Sequence, residues 1–112
     1  MYKLLPVGKI ANDILLRHVF SRPVKDSTVL LGPGIGEDAA IVKVGSCLLA
    51  LKSDPITGAV ENIGWLAVHI NANDISTRGA SPKWFLSTIL LPEKASEDLL
   101  SKILSQIELA LE

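Results

Sequence analysis

The sequence predicts an α+β fold, a sheet of about four short strands accompanied by helices, on three observations. Two long stretches carry apolar residues at helical spacing. Four short runs rich in Val, Ile, Leu and Ala read as strands. Glycine and proline clusters fall between these segments and nowhere inside them. The predicted order is helix, three short strands, helix, strand, helix, which is an α+β pattern.

The first helix is expected over Ala11–Phe20, where Ile14, Leu15, Val19 and Phe20 recur at helical spacing and Asn12 or Asp13 can cap the start. Ser21-Arg22-Pro23 ends it, because a proline forces the residue before it toward extended geometry. Thr28–Leu31 is a short β-type run that stops at Gly32-Pro33-Gly34-Ile35-Gly36. Ala39–Val44 and Cys47–Leu51 form two further strands, joined through Gly45-Ser46 as a hairpin.

Val60–Arg78 is long and free of proline. Ile63, Leu66, Ala67, Ile70 and Ile75 form its apolar stripe, and Gly79 ends it. Trp84–Leu91 reads as a fourth strand closed by Pro92. Ser96–Leu111 is an amphipathic helix with Leu99, Leu100, Ile103, Leu104, Ile107 and Leu111 on one side, and Ser96, Glu97 and Asp98 suit its start.

At 112 residues the chain is one domain at most. It is 48% hydrophobic and 21% charged, a globular balance, and aromatics are only 4%, so aliphatic residues must build the core. Mean hydropathy is +0.38, high for a free-standing domain, and such a surplus points to a buried interface with a partner chain or domain. The net charge of −1 supplies no basic excess for a nucleic-acid backbone.

No apolar run approaches the ~20 residues of a membrane span, and the amino terminus does not read as a signal peptide. A cytoplasmic protein is expected. The lone Cys47 excludes an internal disulfide and is expected to be a buried structural thiol. The chain stops at a strong helix with no trailing linker, so a carboxy-terminal domain beyond it is expected.

Three aspartates sit where surface solvation is a poor explanation. Asp38 follows the glycine turn, Asp54 ends an apolar strand, and Asp74 lies inside an apolar helix. Carboxylates at strand ends and on one helix face can converge across a cleft, and oxygen ligands of that kind suit Mg²⁺. Asn71, Asp74 and Arg78 fall on one stripe of the helix. Taken singly, each has a structural reading: Asp38 as a turn cap, Asp54 as an Asx turn before Pro55, Asp74 as a partner of Arg78. The glycine turn lacks the lysine and Ser/Thr of a phosphate-binding loop, so by itself it is a turn. His18 and His69 are expected to be satisfied structural histidines, and Lys52 is either a phosphate contact or an exposed strand-end lysine.

Together these segments resemble one family. Gly36-Glu37-Asp38-Ala39-Ala40 looks like a Gly-Asp-Asp-Ala-Ala element, and Ser53-Asp54 looks like a Thr-Asp. Ala67-Val68-His69-Ile70-Asn71-Ala72-Asn73-Asp74-Ile75 looks like an Ala-Val-Asn-x-Asn/Ser-Asp-Leu helix. Arg78-Gly79-Ala80-Ser81-Pro82 follows it in place of Met-Gly-Ala-x-Pro, and the run Phe85–Pro92 completes the set. The pattern, spread from about Gly8 to Pro92, is similar to the amino-terminal domain of the aminoimidazole-ribotide-synthase-like superfamily, which also holds thiamine-monophosphate kinase, selenophosphate synthetase and a hydrogenase maturation factor.

The resemblance implies helices packed on one face of the sheet and a homodimer made by pairing that sheet with a second copy. It implies an ATP- and Mg²⁺-dependent enzyme that activates a substrate oxygen by phosphorylation. Asp38, Asp54 and Asp74 would hold Mg²⁺ on the ATP phosphates, with Ser53, Asp54 and Asn71 at the nucleotide. Ile63-Gly64-Trp65-Leu66-Ala67-Val68-His69 is most similar to the hydrogenase maturation factor. The kinase's Gly-x-His-Phe after Thr-Asp is replaced by Pro55-Ile56-Thr57-Gly58. Glu37 for Asp, and Lys52 before Ser53, depart from the pattern and bear on how many metals the site takes. Without its second domain the chain is expected to be catalytically inactive. A dimerisation or regulatory module that kept the fold and lost the chemistry, or a small-molecule sensor using the same cleft, would share these features.

Overall fold

The computed structural model describes residues 3–58 and 61–112. It contains α1 (Asn12–His18), β1 (Val29–Leu31), β2 (Ala40–Val44), β3 (Cys47–Leu51), α2 (Ile63–Ser76) and α3 (Glu97–Leu111). The class is α+β, with one three-stranded antiparallel sheet in the order β1-β2-β3.

The hairpin β2–β3 forms where expected. Ala40 faces Leu51 and Val44 faces Cys47 across the ladder, leaving Gly45 and Ser46 as a two-residue loop. Gly45 has φ +60, the left-handed value that the first central position of a type II′ hairpin requires. The β1–β2 pairing carries an irregularity between Val29 and Leu31. The chain enters β1 through a local turn, in which the Asp26 carboxylate accepts from the Thr28 hydroxyl at 2.7 Å and from its backbone N–H at 2.9 Å. Those two bonds, the hydroxyl's first, hold the Asp26 carboxyl below its ordinary value.

The helices differ from expectation mainly at their ends. Helix α1 is preceded by Ala11, which has no side-chain cap, so neither Asn12 nor Asp13 caps it; Asp13 instead pairs with Arg17 one turn on at 3.2 Å. Helix α2 begins at Ile63 behind Asn62 at φ 57, and the start expected at Val60 lies outside the described residues. It finishes before Gly79, whose φ of +71 reverses the chain as expected. Helix α3 is capped by the Ser96 hydroxyl, which accepts from Leu99 N–H at 3.1 Å.

Trp84–Leu91, expected as a fourth strand, forms no ladder. Among the described residues no backbone hydrogen bond engages 84–91, and Trp84, Leu86 and Leu90 are 79%, 93% and 90% exposed. A strand exists only with a partner for its N–H and C=O groups, and among the described residues this segment has none. Cys47 is exposed, not buried, because it opens β3 at the hairpin tip.

The helices do not form a broad layer on the sheet. Packing is concentrated between α2 and α3 and between neighbouring strands. The apolar core is correspondingly slight: among the described residues only Ala39 and Val68 are buried hydrophobics. The chain is a slab of 49 × 44 × 19 Å with a radius of gyration of 17.0 Å, against about 13 Å for a compact domain of this length. Apolar residues ring α2 on all sides, yet Gly64 and Val68 alone are buried on it. A helix apolar on every side is of the kind that ordinarily lies buried. No helix among the described residues is long and apolar enough to cross a membrane.

Gly64 is the tightest point of the α2–α3 contact. Its N–H donates to Gln106 Oε1 at 3.0 Å, and a Cβ placed on it would meet Ile103 O at 2.5 Å and Gln106 Cβ at 2.9 Å. Gly64→Ala must therefore push the helices apart, and urea unfolding is expected to show a loss of roughly 1–3 kcal/mol. A second expectation concerns the β1 turn. Because the Asp26 carboxyl is depressed in the folded chain, its contribution is complete above the ordinary carboxylate range and is lost as pH falls through the lower folded value. In a two-dimensional NMR pH titration the Thr28 amide should follow Asp26, with a midpoint below the usual ~3.9 of an aspartate.

Candidate functional site

Four segments meet at one end of the sheet. The glycine turn after β1 is closed by Glu37 N–H donating to Gly34 O at 3.3 Å, with Gly36 at φ +77. This turn, the entry to β2 and the exit of β3 line a shallow cleft of about 240 Å³, bordered by Gly32, Glu37, Asp38, Leu51, Lys52 and Ser53. The fourth segment is the polar stripe of α2.

The stripe is tied to the strand ends by three polar links. Asn71 Nδ2 donates to Asp54 O at 3.2 Å, as well as to Ala67 O at 2.8 Å within its own helix. Lys52 Nζ lies 3.0 Å from Asp74 Oδ2, with the two side chains 18% and 23% exposed. Arg78 pairs with Glu37, 41 residues away in sequence. Asp74 and Arg78 therefore do not pair with each other, although they are one turn apart. Each takes a partner from a different strand end, so the structural account of Asp74 as the partner of Arg78 does not hold.

The expected site residues are distributed as follows. Asp38 and Ser53 stand on the cleft rim, exposed, and Asp54 is exposed at the loop that Asn71 grips. Asp74 reaches the same region through Lys52. Among the described residues no three acidic, imidazole or thiol side chains converge on one point. Neither Asp38 nor Asp54 has an ion-pair partner among those residues. Asn71 Oδ1 is buried and accepts no hydrogen bond, an unmet acceptor beside the Asp54 loop. Carboxylate and amide oxygens of this kind are the donor chemistry that a hard divalent cation takes.

Two functional features escaped the sequence reading. Glu37 and Arg78 close the glycine turn onto α2, and the signal lay in their being a complementary pair of departures from one motif. His69 is not a satisfied histidine: it stacks on Trp65 with ring centroids 4.1 Å apart, and its buried Nε2 has no partner among the described residues. His18 sits at the exposed end of α1, where its backbone carbonyl accepts from Arg22 Nε at 2.8 Å. The Glu37–Arg78 link supports a prediction. A double-mutant cycle of Glu37→Gln and Arg78→Met should show a coupling of at most about 1 kcal/mol. Either variant should also raise amide exchange across the glycine turn.

Comparisons with known proteins bear on this geometry. Thiamine-monophosphate kinase of Buchnera aphidicola is 32% identical over 69 residues, covering 54% of this chain and 21% of that protein. The Aquifex aeolicus enzyme of the same name is 36% identical over 67 residues, 53% of this chain and 22% of its own. The Archaeoglobus fulgidus one is 33% identical over 70 residues, 55% and 24% respectively. The chain thus spans less than a quarter of the length of these relatives. They carry the kinase name, and nothing among them supports the nearer likeness to a hydrogenase maturation factor read from the α2 motif. No solved structure matches. The family described as AIR synthase related protein, N-terminal domain, matches residues 36–112, so it takes in α3 and begins at the glycine turn. With Asp38, the Ser53-Asp54 loop and the α2 stripe all inside that match, the chain belongs to the AIR synthase related family, in its N-terminal domain.

Proposed function

We propose that this chain is the nucleotide-binding part of an ATP- and Mg²⁺-dependent enzyme that phosphorylates a substrate oxygen. The observation that carries the reading is the cleft rim. Asp38 stands there and Asp54 on the loop that follows Ser53, both without cationic partners among the described residues, and the buried Asn71 oxygen beside the Asp54 loop lacks a donor. Around the cleft, Glu37, Asp38, Asp54 and Asp74 outnumber Lys52 and Arg78. A polyphosphate is repelled by such a surface unless cations accompany it.

The residues divide the work by position. Asp38, Asp54 and Asp74 would hold the metal, and Ser53 and Asn71 would lie at the nucleotide. When bound, Mg²⁺ supplies neutralisation of the phosphoryl charge, the dominant need of phosphoryl transfer. The chain's own contribution is orientation. Asn71 fixes the Asp54 loop through its backbone, and the Arg78–Glu37 pair fixes the turn that presents Asp38.

The relatives support one acceptor class over another. Proteins named thiamine-monophosphate kinase share 32–36% identity with this chain, which favours a kinase-type transfer to a small-molecule hydroxyl or phosphate. A maturation factor acting on a carbamoyl oxygen is the second reading, and it rests on the Ile63–His69 segment alone, since Pro55-Ile56-Thr57-Gly58 departs from that protein as it does from the kinase.

The apolar excess supports a partner in either case. Trp84–Leu91 is a segment of strand-like composition with Trp84, Leu86 and Leu90 exposed, and we read it as the fourth strand of a sheet completed by a second copy in a homodimer or by a carboxy-terminal domain. Cytoplasmic placement accords with this reading.

Calorimetric titration of a non-hydrolysable ATP analogue tests the proposal. Binding is expected with Mg²⁺ and at least tenfold weaker without it, and Asp54→Asn should abolish it while leaving the oligomeric state unchanged. Loss of the oligomer on Asp54→Asn, with no nucleotide binding by the parent chain, would favour a dimerisation module. Binding indifferent to Mg²⁺ would favour a sensor.

A further inference from the structure

Lys52 stands one residue past β3 and lines the cleft together with Glu37, Asp38 and Ser53. Its side chain is 18% exposed, and its ammonium contacts the Asp74 carboxylate at 3.0 Å. Asp74 has no other cation within ion-pair distance among the described residues, since Arg78 is engaged by Glu37. The carboxylate is thus already neutralised by a charge the chain carries itself. Asp38 and Asp54 are not.

We propose that Lys52 is a resident cation that competes with divalent metal for Asp74, so that metal reaches this edge of the cleft only by exchange with the ammonium. The inference rests on the reading of Asp74 as a metal ligand. A divalent ion and an ammonium drawn to one carboxylate repel each other at contact distance, and both being partly shielded from water weakens the screening. The pair therefore subtracts from intrinsic metal affinity, and the cleft stays closed to Asp74 until a ligand with its own negative charge draws the metal in. The Lys52 stem then keeps the displaced ammonium within the cleft rim, where the negative oxygens of a phosphate are its next available partner.

The test uses Mn²⁺ alone as the probe, titrated calorimetrically into the 112-residue chain and into its Lys52→Met and Lys52→Gln variants. Gln keeps a donor toward Asp74, so it guards against a variant that fails to fold. Both are expected to bind Mn²⁺ roughly three- to tenfold more tightly than the parent. Lys52→Arg should stay near the parent, and adding Asp74→Asn to Lys52→Met should erase the gain. Thermal melts should show Mn²⁺ raising Tm more in Lys52→Met than in the parent. Equal or weaker Mn²⁺ binding by Lys52→Met and Lys52→Gln, with the parent binding the metal, would overturn the competition and leave the metal site standing. Absence of Mn²⁺ binding in every variant would remove the assignment of Asp74 as a ligand, and the inference with it.

Discussion

The attachment of α2 to the strand ends by polar links governs the arrangement of this chain. In most small α+β domains a helix lies on a sheet through a shared apolar core, and polar contacts decorate the edges. Here that order is inverted. Among the described residues buried hydrophobics are confined to Ala39 and Val68, while Asn71 and Asp74 reach across to the exit of β3 and Arg78 to the glycine turn. Hydrogen bonds and ion pairs are directional, and apolar packing is not. The relative placement of helix and cleft therefore depends on a few specific atoms, and those atoms belong to the same residues that the functional reading invokes.

This dependence explains why the strongest motif residues are not free for chemistry in the structure as it stands. Asp74 is matched with Lys52, Glu37 with Arg78, and Asn71 spends its amide nitrogen on two carbonyls. A surface dense in carboxylates cannot be assembled without cations, because like charges a few ångströms apart raise one another's energy. The chain meets that requirement partly with its own lysine and arginine. Asp38 at the rim and Asp54 on the loop beyond it remain exposed, where water screens them.

Much of the local structure was legible in the residues. The hairpin at Gly45-Ser46, the Ser96 cap and the Gly79 stop each rest on a local rule, in which one residue type satisfies one backbone demand. What the residues did not disclose was non-local. Trp84–Leu91 has the composition of a strand, but strand formation requires a hydrogen-bonding partner that its own composition does not encode. Cys47 sits in an apolar run, yet position at the hairpin tip overrides composition. Within the site, the spacing of Asn71, Asp74 and Arg78 was visible, but which partner each takes was decided by strand ends 17 to 41 residues distant in the chain. The acidic residues could be singled out from the sequence. Their pairing could not.

Among the described residues the sheet order β1-β2-β3 leaves β3 with one side unpaired along Cys47-Leu48-Leu49-Ala50-Leu51. That edge has neither proline nor charge within it, and an apolar, uncharged edge is what protein sheets ordinarily guard against. The adjoining Lys52 is turned toward Asp74 and offers no electrostatic fence. At high concentration the chain presents a template on which further strands can grow, so its colloidal behaviour, more than its thermal stability, will set the conditions under which it can be handled.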